Sequence, residues 1–160
     1  IAQCLVGSEM CIRDSYKDMA YHGNWRQSLE FIACAYKNHS SVRCLIEGER
    51  NIQGFFTAYL SISAYYLTAP EVELNHGFCD MFLMPDLQRY PEVAHSYILG
   101  LKYLPAKDYE SKGGQQWLDA VDQIHGYAQG PRVQQLAQGT QLHCIVMQFS
   151  GWEMVKAEEV

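Results

Sequence analysis

The spacing of apolar positions changes along the chain, and those changes mark its elements. Trp25, Leu29, Ile32 and Tyr36 recur three to four residues apart, as on one helical face, and predict a helix over 25–36. Asn24 just before it and Gln27 three residues on form a capping-box pattern. After the polar break KNHSS, a stronger stripe of Ile52, Phe55, Phe56, Tyr59, Ile62 and Tyr66 predicts a second helix. It starts near Glu47 and stops before Pro70. The period then falls to two. EVELNHGFCDMFLMPD (71–86) reads as two short strands hinged at Asn75–Gly77. HSYILGLKYL (95–104) is apolar at nearly every position, which predicts a strand buried on both faces. YPEV and PAKDYESKGG read as loops. Helical spacing returns with Trp117, Val121, Ile124 and Ala128, stopped by Gly130–Pro131. QLHCIVMQF (141–149) reads as another doubly buried strand, and Ser150–Gly151 as a tight turn that returns WEMVKA as an edge strand. The order α-α-β-β-β-α-β-β, without internal repeat or low-complexity tract, predicts an α/β fold. Its centre is a mixed sheet of four to five strands flanked by helices.

The first residues fit neither period. IAQCLVGSEMCIRDS has a short apolar part, no preceding basic region and no small-residue cleavage site, so it is not a signal peptide. EMCIRDS resembles the translation of a transposase adapter used in sequencing libraries. Residues 1–15 are therefore set aside as an assembly-derived segment of a metagenomic fragment. Residues 16–160 are read as one domain, large enough to bury a core, at the C-terminal end of a longer protein.

Composition narrows the function classes. The net charge is −6, and −5 once Arg13, Glu9 and Asp14 are set aside. That argues against a free-standing nucleic-acid binder with a broad basic face, while leaving room for a local basic channel. No apolar run reaches the length that spans a bilayer. Cys34, Cys44, Cys79 and Cys144 are scattered without a CxxC pair. They are read as reduced core thiols of a cytoplasmic protein, and the Cys34, His39, Cys44 spacing is not read as a zinc site.

Three polar residues sit where the pattern asks for apolar ones: Asp80 within FCDMFLM, Lys102 within YILGLKYL, and Gln123 one turn before Tyr127. A buried charge is costly unless paired or metal-bound. The plainest account is a structural ion pair between neighbouring strands, Asp80 with Lys102. Tyr65 and Tyr66 are read as helix-end packing, His76 as a turn residue, His125 as a solvated helix position, and Trp117 and Trp152 as core.

The order of an Asp on one strand, a strand with a Lys near its end, and a helix with Gln-x-x-x-Tyr resembles the layout of PD-(D/E)XK nucleases. The carrying stretches are GERNIQGFFTAYLSIS (48–63), EVELNHGFCDMFLMPD (71–86), YILGLKYL (97–104), AVDQIHGYA (120–128) and IVMQFSGWEMV (145–155). They are most similar to the nuclease-like domain found C-terminal to certain bacterial AAA-ATPase-like domains. The resemblance implies a restriction-endonuclease-like sheet and a magnesium- or manganese-dependent phosphodiesterase acting on nucleic acid. It also implies an AAA-ATPase-like partner domain upstream. By resemblance Asp80 is a metal ligand, Glu73 or Glu49 (or Glu47) supplies a further acid, Lys102 assists the attacking water, and Gln123 with Tyr127 borders the site. Two carboxylates holding a divalent ion beside a lysine make chemical sense: the ion polarises the phosphate, and the ammonium offsets developing charge.

One position departs from the pattern. The resemblance predicts a glutamate at 100, and the chain has Gly100. Three accounts compete. Catalysis has been lost and the fold kept, leaving a non-catalytic module that binds or packs on its partner. Another acid, Glu73 or Glu49, has taken over the role. Or Gly100 is a sequence error, one base from a glutamate codon.

Overall fold

In a computed structural model, residues 8–39, 48–74 and 77–160 are described, the side chains of 8–11 and 71–78 excepted. HSYILGLKYL needs cover on both faces, and the fold supplies it. It forms β3 (His95–Leu104) at the centre of a five-stranded mixed sheet of order β1-β2-β3-β4-β5, with β1 Tyr66–Leu74, β2 Gly77–Pro85, β4 Gln141–Ser150 and β5 Glu153–Glu159. β3 and β4 pair in parallel over their whole length, from His95↔Gln141 to Leu104↔Ser150, and the other neighbours are antiparallel. These two strands are the doubly buried ones, as their continuous apolar runs require.

Alternate β3 side chains feed two cores. Tyr97, Leu99 and Leu101 face a cluster built with α1 (Ser8–His22), α2 (Arg26–His39) and α3 (Glu49–Leu60), through Met19, Leu29, Ile32, Tyr36, Ile52 and Phe56. Ile98 faces a second cluster with Trp117, Ile124 and Tyr127 of α4 (Ala106–Ala128) and Val133 of α5 (Pro131–Ala137). The helices thus make two layers on the sheet, and α4 with α5 forms the crossover between the parallel strands.

Several boundaries differ from expectation. The second predicted helix ends at Leu60, and Tyr66 opens β1 instead of closing a helix. Ile62 lies largely exposed rather than on the core stripe. Pro70 falls inside β1, where an edge strand tolerates the missing donor. PAKDYESKGG is not a loop: from Ala106 it forms the first half of α4. The Gly-Gly pair that reads as a breaker includes Gly113, which is buried; a Cβ there would lie 2.9 Å from the Tyr109 ring. Gly130–Pro131 ends α4 but also starts α5, with Pro at its first turn. The helix α1 runs unbroken across the junction at Ser15 and seats Tyr16, Met19 and Ala20 in the core. Trp117 is core as expected, and Trp152 packs at its margin half-buried. Asn75 and His76 of the predicted hinge, the end of KNHSS, Cys44 and Glu47 lie outside the described residues. Among the described residues, no helix is long and apolar enough to cross a membrane.

Candidate active site

The ladder between β2 and β3 runs from Leu83↔Tyr97 to Met81↔Leu99. At the next position Asp80 uses its side chain: its Oδ2 accepts the Leu101 amide at 2.7 Å. A carboxylate thus replaces a backbone carbonyl where the strands part, which is why an Asp can interrupt the apolar run. Lys102 stands two residues beyond Gly100 on the same face of β3. Its Nζ lies 3.5 Å from Asp80 Oδ2 and 3.8 Å from Oε1 of Glu49, which α3 delivers from its first turn. The Lys102 and Asp80 side chains are 18% and 21% exposed, and that of Glu49 is 42%. Burial pushes the Glu49 carboxyl above the usual carboxylate range, Lys102 pulls it back, and Asp80 pushes it further up. One turn on, Gln53 Nε2 donates to the Asp80 carbonyl at 2.7 Å, tying α3 to β2.

From the opposite layer α4 contributes Gln123 and Tyr127, joined by a 2.7 Å hydrogen bond from the Gln123 amide to the phenol oxygen. With Asp80, Gly100, Lys102 and Ile124 they line a small recess of about 10 Å³. Gly100 needs no unusual backbone here. A Cβ on it would lie 3.7 Å from Ile124 Cδ1 and 3.8 Å from Val146 Cγ2, which are ordinary contacts. Asp80, Lys102, Gln123, Tyr127 and Glu49 therefore meet around one recess. Glu73 is on β1 opposite Phe78, and its side chain lies outside the described residues.

Two features were not read from the sequence. Gln148 is the β4 register partner of Lys102 and is buried. Its amide donates to Gly113 O at 2.8 Å and to Gln116 Oε1 at 2.9 Å, while Gln116 donates to Tyr103 O at 3.0 Å. This lattice fixes α4 over the strands that carry the recess. A lone polar residue inside IVMQF was the available signal. The second feature is an open groove of about 570 Å³ along α3, lined by Arg50, Gln53, Gly54, Thr57 and Pro70. Gln53 belongs to the groove and also bonds the Asp80 carbonyl.

The site is thus a mixed sheet with Asp and Lys on adjacent strands of an α/β domain, flanked by one helix bearing an acid and another bearing Gln and Tyr. The family model described as the PD-(D/E)XK nuclease superfamily matches residues 47–159, and the chain belongs to that superfamily. No curated protein and no solved structure matches it.

The superfamily generally uses divalent metals, so the fit of this donor set matters. Among the described residues no group of three or more His, Cys, Asp or Glu side chains could hold an ion. The two carboxylates present converge on the Lys102 ammonium, and Gly100 offers no oxygen. A hard cation would have to displace Lys102 and complete its shell almost entirely with water. As they stand, these residues do not fit a metal.

Proposed function

We propose that this is a PD-(D/E)XK-type, nucleic-acid-directed phosphodiesterase domain whose hydrolytic power is impaired at position 100. The observation that carries this is the ion triad itself. Lys102 is gripped by Asp80 and Glu49 beside a glycine whose position accepts a Cβ at ordinary contact distances. A glutamate at 100 would give Asp80 a companion carboxylate on the neighbouring strand, the oxygen pair that magnesium or manganese requires. Asp80 is then the retained ligand, Glu49 or Glu73 the supplementary acid, Lys102 the cation that orients water, and Gln123–Tyr127 the flank of the site. Arg50, in the groove whose Gln53 also bonds the Asp80 carbonyl, is positioned to meet a phosphate of the bound strand.

The test compares the chain, Gly100→Glu, and Gly100→Glu with Asp80→Ala. Each is assayed for cleavage of single- and double-stranded DNA and RNA with magnesium or manganese. Cleavage confined to Gly100→Glu supports the reading. Absence of cleavage in all three removes nuclease chemistry from this domain.

A second reading is a non-catalytic module docked on an AAA-ATPase-like domain. It is favoured by the exposure of Ile62 (67%) and Leu67 (52%) near the β1 edge of the sheet. Co-purification with a candidate AAA-ATPase-like domain that is lost in Ile62→Asp/Leu67→Asp supports it, and co-purification unchanged by those substitutions counts against it.

A further inference from the structure

At the start of β3 and β4, remote from Lys102, a polar chain crosses the sheet from half-buried His95 through buried His143 to the exposed Glu159. His95 Nδ1 lies 2.8 Å from His143 Nε2, and His143 Nδ1 lies 2.6 Å from Glu159 Oε1 on β5. The other carboxylate oxygen accepts Trp25 Nε1 at 2.9 Å. Tyr97 stacks on the His143 ring, with centroids 4.8 Å apart, and its hydroxyl donates to Met19 O of α1 at 2.7 Å. The Tyr66 hydroxyl donates to His95 O at 3.1 Å. Over the histidines lies the α1–α2 corner. Gly23, at φ +76°, sits so close that a Cβ would be 3.0 Å from His95 Cε1 and 3.4 Å from His143 Cε1.

Proton counting limits this chain. Glu159, as a carboxylate, accepts, so His143 Nδ1 carries a proton. The His95–His143 bond then needs one proton between two nitrogens. Both neutral rings satisfy it, and so does a single imidazolium on either ring. With both rings protonated, His95 Nδ1 and His143 Nε2 are both donors and the bond is lost, leaving two cations in contact.

We propose that His95, His143 and Glu159 form a proton-operated latch for the α1–α2 corner, closed with at most one proton on the histidine pair and opened by the second. The corner is where the push would be felt, because Gly23 packs beside both rings and Trp25 is tied to the same carboxylate. The surrounding groups set the sign. Burial, then His143, holds His95 below its ordinary value, and His22 at the end of α1 adds to this, while a hydrogen bond with the Tyr21 backbone of α1 and the Glu159 charge oppose it. For Glu159, burial raises the carboxyl, but the bonds from His143 and Trp25 outweigh it and hold it low. Asp18 on α1 is engaged by Asn24 at 2.7 Å, and Arg26 of α2 reaches Ala157 O at 3.4 Å. A histidine depressed in the folded state contributes stability that is present above its unfolded value, about 6.5, and is lost as pH falls. Acid therefore opens the corner. Helices α1 and α2 precede the superfamily match at 47–159, so the latch governs how they attach to the superfamily domain.

Hydrogen exchange resolved along the chain tests this between pH 7.5 and 5, corrected for intrinsic rates. Amides of α1 should lose protection by up to roughly tenfold per pH unit for the one proton taken up on opening, while β3 and β4 hold theirs. His95→Gln, which keeps a donor without titrating, should abolish that dependence. Uniform loss across the sheet, or the same dependence in His95→Gln, overturns the latch. Ring-nitrogen NMR of the wild-type chain stands independently of that variant folding. The latch requires two coupled steps with the second displaced to low pH, and two independent titrations at ordinary values overturn it.

Discussion

Gly100→Glu should convert a metal-indifferent protein into one whose stability follows the metal. The Cβ meets Ile124 and Val146 at 3.7 and 3.8 Å, so the backbone and core accept it without rearrangement. Replacing an interior strand glycine removes a cost of about 0.5–1 kcal/mol, which Gly100→Ala should show alone. The carboxylate then works against that gain. It enters a recess already holding Asp80 and Glu49 with Lys102 as their shared cation. In chelator, Gly100→Glu should be no more stable than wild type. With magnesium at about a hundred times its dissociation constant, binding to the folded state alone adds about 2.7 kcal/mol. For a chain of this size that is about 5–10 °C in melting temperature. Differential scanning calorimetry of wild type, Gly100→Ala and Gly100→Glu, each with chelator and with magnesium, measures all terms. A magnesium-dependent rise in wild type equal to that in Gly100→Glu would refute the argument that position 100 limits the donor set. Destabilisation by Gly100→Ala would refute the claim that position 100 accepts a Cβ.

Asp80→Ala should lower stability by about 1–3 kcal/mol in chemical denaturation, because it strands the buried Leu101 amide as well as removing a charge from Lys102. Gln148→Ala leaves Gly113 O and Gln116 without their buried donor, and about 1–3 kcal/mol should be lost, read the same way. Gly54 is exposed on α3 with open space around it, so Gly54→Ala should stabilise by about 1 kcal/mol. A loss there would show that the groove face is constrained. Arg50→Ala should weaken oligonucleotide binding and flatten its salt dependence, measured by fluorescence anisotropy, without changing the melting temperature.

The sheet was legible because its two central strands are apolar on both faces, a pattern that few other elements share. The candidate residues were legible because Asp80 and Lys102 break that pattern, and the structure places them 3.5 Å apart. Gln123 stood out as a polar residue on the flank of a helical stripe, and its place beside the site with Tyr127 came from the family resemblance. What failed to read was local chemistry decided by distant neighbours. Tyr65 and Tyr66 extend a helical stripe, but β1 is set by its pairing with β2. Gly113–Gly114 reads as a break, but the close approach of the Tyr109 ring and the bond from Gln148 make a glycine suit a helix there. The histidine chain could not be read, since His95, His143 and Glu159 have no sequence spacing that announces them.

The parallel pairing of β3 and β4 bears on how the molecule is made. Their register cannot close until α4 and α5 have bridged it, so the central ladder is among the costliest loops of the chain to shut. The recess draws on β2, β3 and α4, and Glu49 of α3 reaches it through Lys102. Its geometry is therefore complete only after the slowest topological step. A partly folded chain carries Asp80 and Lys102 without their alignment, so the grouping of these side chains belongs to the folded domain as a whole and to no smaller fragment of it.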